Sequence, residues 1–243
     1  MDNTLNFTVI SATIISLVIA IYNKAIKNGQ FTCDSFVLNT YLYITLAIML
    51  ITAFIMYFGK LPIEQFKNKF IFVFILSLIS LIGINFFSKN LFISHLLWLI
   101  FLMCISYTLV PFINLLNRDK ILIKTLISTF MTLFLLTMFA YMYPEYIDLN
   151  IHSTLVVLLF SGIIVQLVNA IFPSQYSDNL RLMMSYGFIV LFSFFILYDT
   201  KILKIKAQQC MNKLINPNYP KESMDIFLDI LNLFTNFGEI YKK

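Results

Sequence analysis

Two aspartates at the edges of apolar stretches are the residues best suited to chemistry in this sequence. Asp199 ends the run FSFFILYD, and Asp229 lies within FLDILNLF near the C-terminal end. Two carboxylates that meet where little water is present repel each other and tend to share one proton. When both are ionised, they form a hard oxygen site suited to Ca²⁺. The two residue types therefore predict a pH-sensitive cation site, provided that the fold brings them together.

The composition places these acids in a membrane. Apolar residues make up 60% of the chain, charged residues make up 12%, and 26 residues are Phe. A water-soluble domain of this size could not bury so much apolar surface. The sequence therefore predicts an integral, multi-pass membrane protein.

The apolar residues fall into segments of a length that suits membrane-spanning helices. A bilayer core takes about 20 apolar residues. The predicted segments are 5–23, 36–58, 70–88, 93–115, 122–143, 152–173, 182–200 and 224–240. Short polar connections join most of them, whereas residues 201–222 form a longer predicted loop with five lysines. This pattern predicts an all-α, polytopic membrane bundle of seven or eight helices.

Polar residues on the last segment share one side of the predicted helix. At 100° per residue, they lie within about 80° of one another. They are Asp225, Asp229, Asn232, Asn236 and Glu239. A charged side chain in the bilayer costs at least ~2.5 kcal/mol, so this polar stripe either faces the interior of the bundle or belongs to a helix lying flat at the membrane surface. The loop 201–222 begins and ends on one side of the membrane, so Asp199 and Asp229 can lie at the same depth.

Other familiar sites are not predicted. Cys33, Cys104 and Cys210 have no paired spacing, and His95 and His152 are isolated, so we expect neither a zinc site nor a disulfide. No phosphate-binding loop or hydrolase motif occurs, and no organic cofactor is expected. The net charge of +5 is spread over the loops, which favours anionic lipid headgroups as partners and argues against nucleic acid.

Several motifs together resemble the Bax inhibitor-1 family, also called the transmembrane Bax inhibitor motif family, which has bacterial members. They are FSFFILYDT, FLDILNLF, the STF at 128–130, the AIFPS at 170–174 and the TLVPF at 108–112. The resemblance covers roughly residues 36–240. It implies a domain of seven helices over 36–243, preceded by an extra apolar segment and linker over 1–35.

The resemblance implies a Ca²⁺ leak that closes when its two aspartates are protonated or hydrogen-bonded together. Matched residue by residue, this pair is Asp199 and Asp229, with Tyr198 and Asn232 beside them in the same motifs. Some bacterial relatives use an arginine as a latch on the first aspartate. The corresponding stretch here has Lys89, which lacks the fork of arginine and predicts a weaker latch or an ordinary interfacial lysine. Asp225 either supports the pair or is solvated at the start of the helix.

Two alternatives come from other classes of protein. Intramembrane aspartyl proteases also use two aspartates, one in a Tyr-Asp pair, but their glycine-rich second motif and their Pro-Ala-Leu element are missing, so we do not expect an enzyme. Resemblance to this family also implies a possible non-conducting regulator that binds other membrane proteins, in cell-death suppression or in modulation of a membrane protease. The Asn-, Ile- and Lys-rich composition is typical of AT-rich genomes and favours a bacterial inner membrane over an endoplasmic reticulum or Golgi membrane.

Overall fold

The protein is almost entirely helical in its computed structural model, which describes residues 3–172 and 177–242. The helices are α1 (Asn3–Ala25), α2 (Phe36–Phe58), α3 (Ile63–Phe86), α4 (Leu91–Arg118), α5 (Leu122–Met142), α6 (His152–Ile171), α7 (Ser177–Met211), α8 (Tyr219–Glu222) and α9 (Met224–Tyr241). Strands β1 (Ile26–Lys27) and β2 (Gln30–Phe31) form a small antiparallel hairpin between α1 and α2. Two short 3₁₀ turns, Pro144–Tyr146 and Leu149–Ile151, connect α5 to α6.

Seven of these helices, α1 to α7, are long and apolar enough to cross a membrane. Their outward surfaces carry many exposed Phe, Ile, Leu and Val side chains, which suit a lipid environment and would be costly in water. The prediction of an all-α, polytopic membrane bundle is confirmed. The end of the predicted segment 152–173 and the last residues of the AIFPS motif lie outside the described residues.

Helix α7 is longer than the sequence pattern predicted. The segment 182–200 was expected to end before a loop, but the helix continues to Met211 because KILKIKAQQCM contains no Gly or Pro and is rich in good helix formers. Two lysines of this extension donate hydrogen bonds to backbone carbonyl groups. Lys201 Nζ donates to the carbonyl of Ile147 at 2.5 Å, and Lys204 Nζ donates to the carbonyl of Tyr141 at 2.8 Å. Only the second half of the predicted loop, from residue 212, is a true connection.

The expectation that no disulfide forms was wrong. Cys33 and Cys210 are bonded to each other, with their Cα atoms 5.5 Å apart. The two residues are 177 positions apart in the chain, so no local spacing could have indicated the pair. Tertiary folding alone brings the start of α2 beside the end of α7. Cys104 is a free, buried thiol.

The chain divides into two compact units, each formed from separate stretches of sequence. Unit 1 comprises residues 1–115 and 205–225, and unit 2 comprises residues 116–204 and 226–243. In unit 1, Phe66, Tyr107 and Val110 form a buried cluster, and the rings of Phe66 and Tyr107 lie 4.6 Å apart. Pro111 lies inside α4 next to this cluster, where it removes one backbone hydrogen bond of the helix.

Unit 2 has its core between α6, α7 and α9. The buried side chains of this core are Leu155, Phe188, Leu191, Phe192, Phe195, Ile196 and Leu233. Gly162 of α6 allows close packing here, because a Cβ atom at this position would lie 2.6 Å from Cζ of Phe188. The phenylalanine-rich stretch of α7 therefore serves as the packing surface of unit 2.

Candidate functional site

Helix α9 is enclosed along almost its whole length. Every residue from 226 to 241 is buried or half-buried, and Asp229 has only 5% of its surface exposed. A helix lying flat at the membrane surface would instead turn its acidic side towards water. The burial of Asp229 and Asn236 therefore matches the interior placement and not the interfacial one.

Asp199 lies on α7 and is half-buried. Asp199 lies just under one turn after Ile196 on α7, and Asp229 lies about one turn before Leu233 on α9. Ile196 and Leu233 belong to the same buried cluster. Arg181 near the start of α7 pairs with Glu239 near the end of α9, so the two helices run in opposite directions within unit 2. In this antiparallel arrangement, Asp199 lies towards the C-terminal end of α7 and Asp229 lies towards the N-terminal end of α9, so both are on the sides of their helices' length that point away from the Arg181–Glu239 pair.

The two asparagines of the stripe form hydrogen bonds within α9, and Glu239 pairs with a residue of α7. The amide Nδ2 of Asn232 donates to the carbonyl of Leu228 at 2.9 Å, and Nδ2 of Asn236 donates to the carbonyl of Asn232 at 2.8 Å. Both amides thus use one donor on their own helix and keep their oxygen atoms for other contacts. Glu239 Oε2 lies 3.3 Å from Nε of Arg181.

Tyr198 has a neighbour that the sequence did not indicate. Its ring stacks on the imidazole of His152, with the ring centres 4.8 Å apart and the planes 19° from parallel. His152 begins α6 and was interpreted as isolated, because nothing in its local sequence points to α7. The stack attaches the Tyr-Asp motif of α7 to the first turn of α6.

Two of the predicted site residues belong to the other unit. Lys89 is exposed in the turn between α3 and α4 and belongs to unit 1. Asp225 is exposed in the first turn of α9 and is the last residue of unit 1. Its role beside the pair stays a prediction. The role of Lys89 as a latch stays a prediction.

Within residues 3–172 and 177–242, no group of three or more His, Cys, Asp or Glu side chains is arranged to hold a metal ion. Beside Asp199, Thr200 is 1% exposed, and its hydroxyl has no hydrogen-bond partner among the described residues. This hydroxyl could bind water or an ion.

These features define a polytopic α-helical membrane protein in which an acid-bearing helix is enclosed within the bundle. The family model described as inhibitor of apoptosis-promoting Bax1 matches residues 33–243, and the chain therefore belongs to the Bax inhibitor-1 family. Helix α1 lies outside the matched region. A search of curated proteins finds no match to the chain. Family membership supports a role as a membrane regulator or a channel-like protein.

Proposed function

We propose that the protein is a pH-sensitive Ca²⁺ leak channel, gated by Asp199 and Asp229. The observation that carries this proposal is the burial of the Asp229 carboxylate on a helix with no exposed residue after Asp225. A membrane protein that needed α9 only for packing would be more stable with an apolar residue here. Retaining an acid at this position is typical of an ion or proton pathway.

The antiparallel register of α7 and α9 supports a pair. Asp199 and Asp229 both lie away from the Arg181–Glu239 pair on these two helices, and the proposal requires their carboxyl groups to meet. Two acids in such a site hold one proton between them when closed. Loss of that proton leaves two repelling anions, which favours separation of the helices and entry of a cation.

The chemistry of the nearby groups suits Ca²⁺. The two carboxylates, the hydroxyl of Thr200 and the amide oxygen of Asn232 would offer hard oxygen ligands, which Ca²⁺ prefers. Because only two of them are acids, binding is expected to be weak enough for release. Lys89 acts in this proposal as a weak latch on the closed state, and Lys89→Gln is expected to raise the leak less than a change at either aspartate.

Ca²⁺ entry into liposomes tests conduction directly. Purified protein is reconstituted into vesicles that contain a Ca²⁺-sensitive dye, beside empty vesicles and an Asp178→Asn control. Asp178 is an acid near the start of the same helix; its side chain is 92% exposed and lies 3.3 Å from Arg181, and its loss is expected to leave the flux unchanged. Flux above empty vesicles supports the leak. Folded protein that conducts no Ca²⁺ at any pH would overturn it.

A non-conducting regulator is the second candidate. The description of the matched family as an inhibitor of apoptosis-promoting Bax1 favours action on other membrane proteins. In that case, the acids of α7 and α9 only hold two helices together, and Asp199→Asn and Asp229→Asn lose stability without any change in flux. Neither candidate is an enzyme, and a bacterial inner membrane remains our prediction for its location.

A further inference from the structure

The connection between α7 and α9 is attached covalently to the start of α2. The disulfide joins Cys33, which is half-buried, to Cys210, which is 1% exposed and lies one residue before the end of α7. Residues 212–223, which we call the α7–α9 connection, follow directly. This connection leads into α9, the helix that carries Asp229.

Tyr219 holds the connection against the hairpin side of unit 1. Its hydroxyl donates to the carbonyl of Thr32, and Nδ2 of Asn39 donates to the same hydroxyl at 3.3 Å. The Tyr219 ring is fully buried and stacks on that of Tyr43, with the ring centres 5.6 Å apart. Thr32 is next to Cys33, so this contact and the disulfide act at one place.

Asn218 holds the connection against α4 and the turn before it. Its Oδ1 accepts from Oγ of Ser94 at 3.0 Å and from the backbone N–H of Lys221 at 2.9 Å. Its Nδ2 donates to the carbonyl of Ser88 at 2.5 Å. Asn218 is 3% exposed, so these bonds replace water almost completely.

An ion pair joins the last turn of the connection to α7. Nζ of Lys206 on α7 lies 2.7 Å from Oε2 of Glu222, whose side chain is 8% exposed. These non-covalent attachments and the disulfide just before the connection all lie within unit 1. The disulfide is the attachment that a redox reaction can open.

We propose that Cys33 and Cys210 form a reversible redox site that takes a dithiol as its reductant and locks the α7–α9 connection when oxidised. The thiolate of the reductant attacks Sγ of Cys33, because that sulfur belongs to the more accessible residue. The disulfide bond breaks, and Cys210 leaves as a thiolate that takes up a proton. The second thiol of the reductant then displaces Cys33, so two electrons and two protons pass to the protein and the reductant becomes a disulfide.

Reduction leaves the connection held by its non-covalent contacts alone. Residues 212–223 then unfold locally more often, and the first turn of α9 becomes more mobile. The expected effect on Ca²⁺ flux, an increase on reduction, rests on the proposed leak. The expected loss of order in residues 212–223 does not depend on the proposed leak.

Thiol counting tests whether the site exists. Cys104→Ala removes the only other thiol, and the denatured protein is treated with a polyethylene-glycol maleimide before and after dithiothreitol. We expect no adduct before reduction and two adducts afterwards. Two adducts without reductant, from protein kept from reducing agents, would overturn the proposal.

Hydrogen exchange of the Cys104→Ala protein in liposomes tests the lock. We expect amide protection of residues 212–223 to fall by about tenfold on reduction. A Cys33→Ser, Cys210→Ser double variant is the matched control, with low protection that dithiothreitol does not change. Equal protection in both redox states would overturn the lock. Ca²⁺ flux is measured on the same samples. If reduction lowers the amide protection of residues 212–223 but neither redox state conducts Ca²⁺, the redox site is supported and the leak is contradicted.

Discussion

Nε of Arg181 lies 3.3 Å from Oε2 of Glu239 and joins the start of α7 to the end of α9. The last turn of α9 has two more attachments within unit 2. Nζ of Lys124 lies 4.0 Å above the ring of Tyr241, and the Tyr241 hydroxyl lies 2.7 Å from Oγ of Ser128. The end of α9 is therefore held by both α5 and α7, opposite to the end that the disulfide restrains through the connection.

Removal of this ion pair is expected to have a small effect. The side chains of Arg181 and Glu239 are 52% and 24% exposed, so solvent screens the attraction and the coupling should be about 0.3–1 kcal/mol. Thermal unfolding in detergent of Arg181→Gln, Glu239→Gln and the double variant measures it. The coupling should shrink in high salt. Fully additive effects would show that the pair contributes nothing.

Gly162 should not tolerate even one added methyl group. The new Cβ would lie 2.6 Å and 2.9 Å from ring atoms of Phe188, so Gly162→Ala should destabilise unit 2 by about 1–3 kcal/mol. Gly187→Ala is the matched control, since nothing lies within 4 Å of a Cβ there. This control should be neutral or slightly stabilising, because alanine favours the helix. Similar unfolding midpoints for the two variants would contradict the packing described for α6 and α7.

Asn218 should be a sensitive residue of the α7–α9 connection. Asn218→Ala leaves the carbonyl of Ser88 and the hydroxyl of Ser94 buried without this partner, at a cost of about 1–3 kcal/mol for each. Asn212→Ala, at an exposed position in the same connection, serves as the control and should have little effect. Unfolding midpoints measure the difference. Equal stabilities would mean that water replaces these bonds.

The buried hydroxyl of Tyr219 predicts a loss of stability at alkaline pH. Burial raises the pKa of Tyr219 from its ordinary value of 10 to about 12, with further contributions from Asp34 and Glu222, while the hydrogen bond from Asn39 opposes the shift. The folded state therefore favours the protonated phenol. Its contribution is complete below pH 10 and is lost as the pH rises through about 12.

Tyr219→Phe isolates the contribution of the Tyr219 phenol to stability, because the variant keeps the aromatic ring but lacks the hydroxyl that titrates. Over the alkaline range, the wild-type protein should lose more stability than the variant. Parallel loss in both proteins would show that other tyrosines and lysines account for the alkaline effect.

The apolar segments of the sequence were sufficient to predict most of the helices. Segment 36–58 coincides with α2, and segment 122–143 coincides with α5 to within one residue, because hydrophobic length is the main constraint on a helix in a bilayer. The polar stripe of the last segment left two placements open, inside the bundle or flat at the membrane surface, and the burial of Asp229 and Asn236 agrees with the first.

Contacts between distant parts of the chain could not be predicted in the same way. Cys33 and Cys210 have no common motif, and His152 gives no local sign that it stacks on Tyr198. Membrane hydropathy also says nothing about where a helix ends once it leaves the bilayer. This explains why the continuation of α7 to Met211 was expected to be a loop.

Ca²⁺ flux measured against pH, from about pH 5 to about pH 8, tests the central claim most directly. The wild-type protein is compared with Asp199→Asn and Asp229→Asn, with Asp178→Asn as the exposed control. If the two acids share one proton as a gate, the wild-type and control leaks fall as the pH is lowered, and both pair variants lose this response. A pH response that survives unchanged in either Asp199→Asn or Asp229→Asn, with the protein shown to be folded, would contradict the proposed gate.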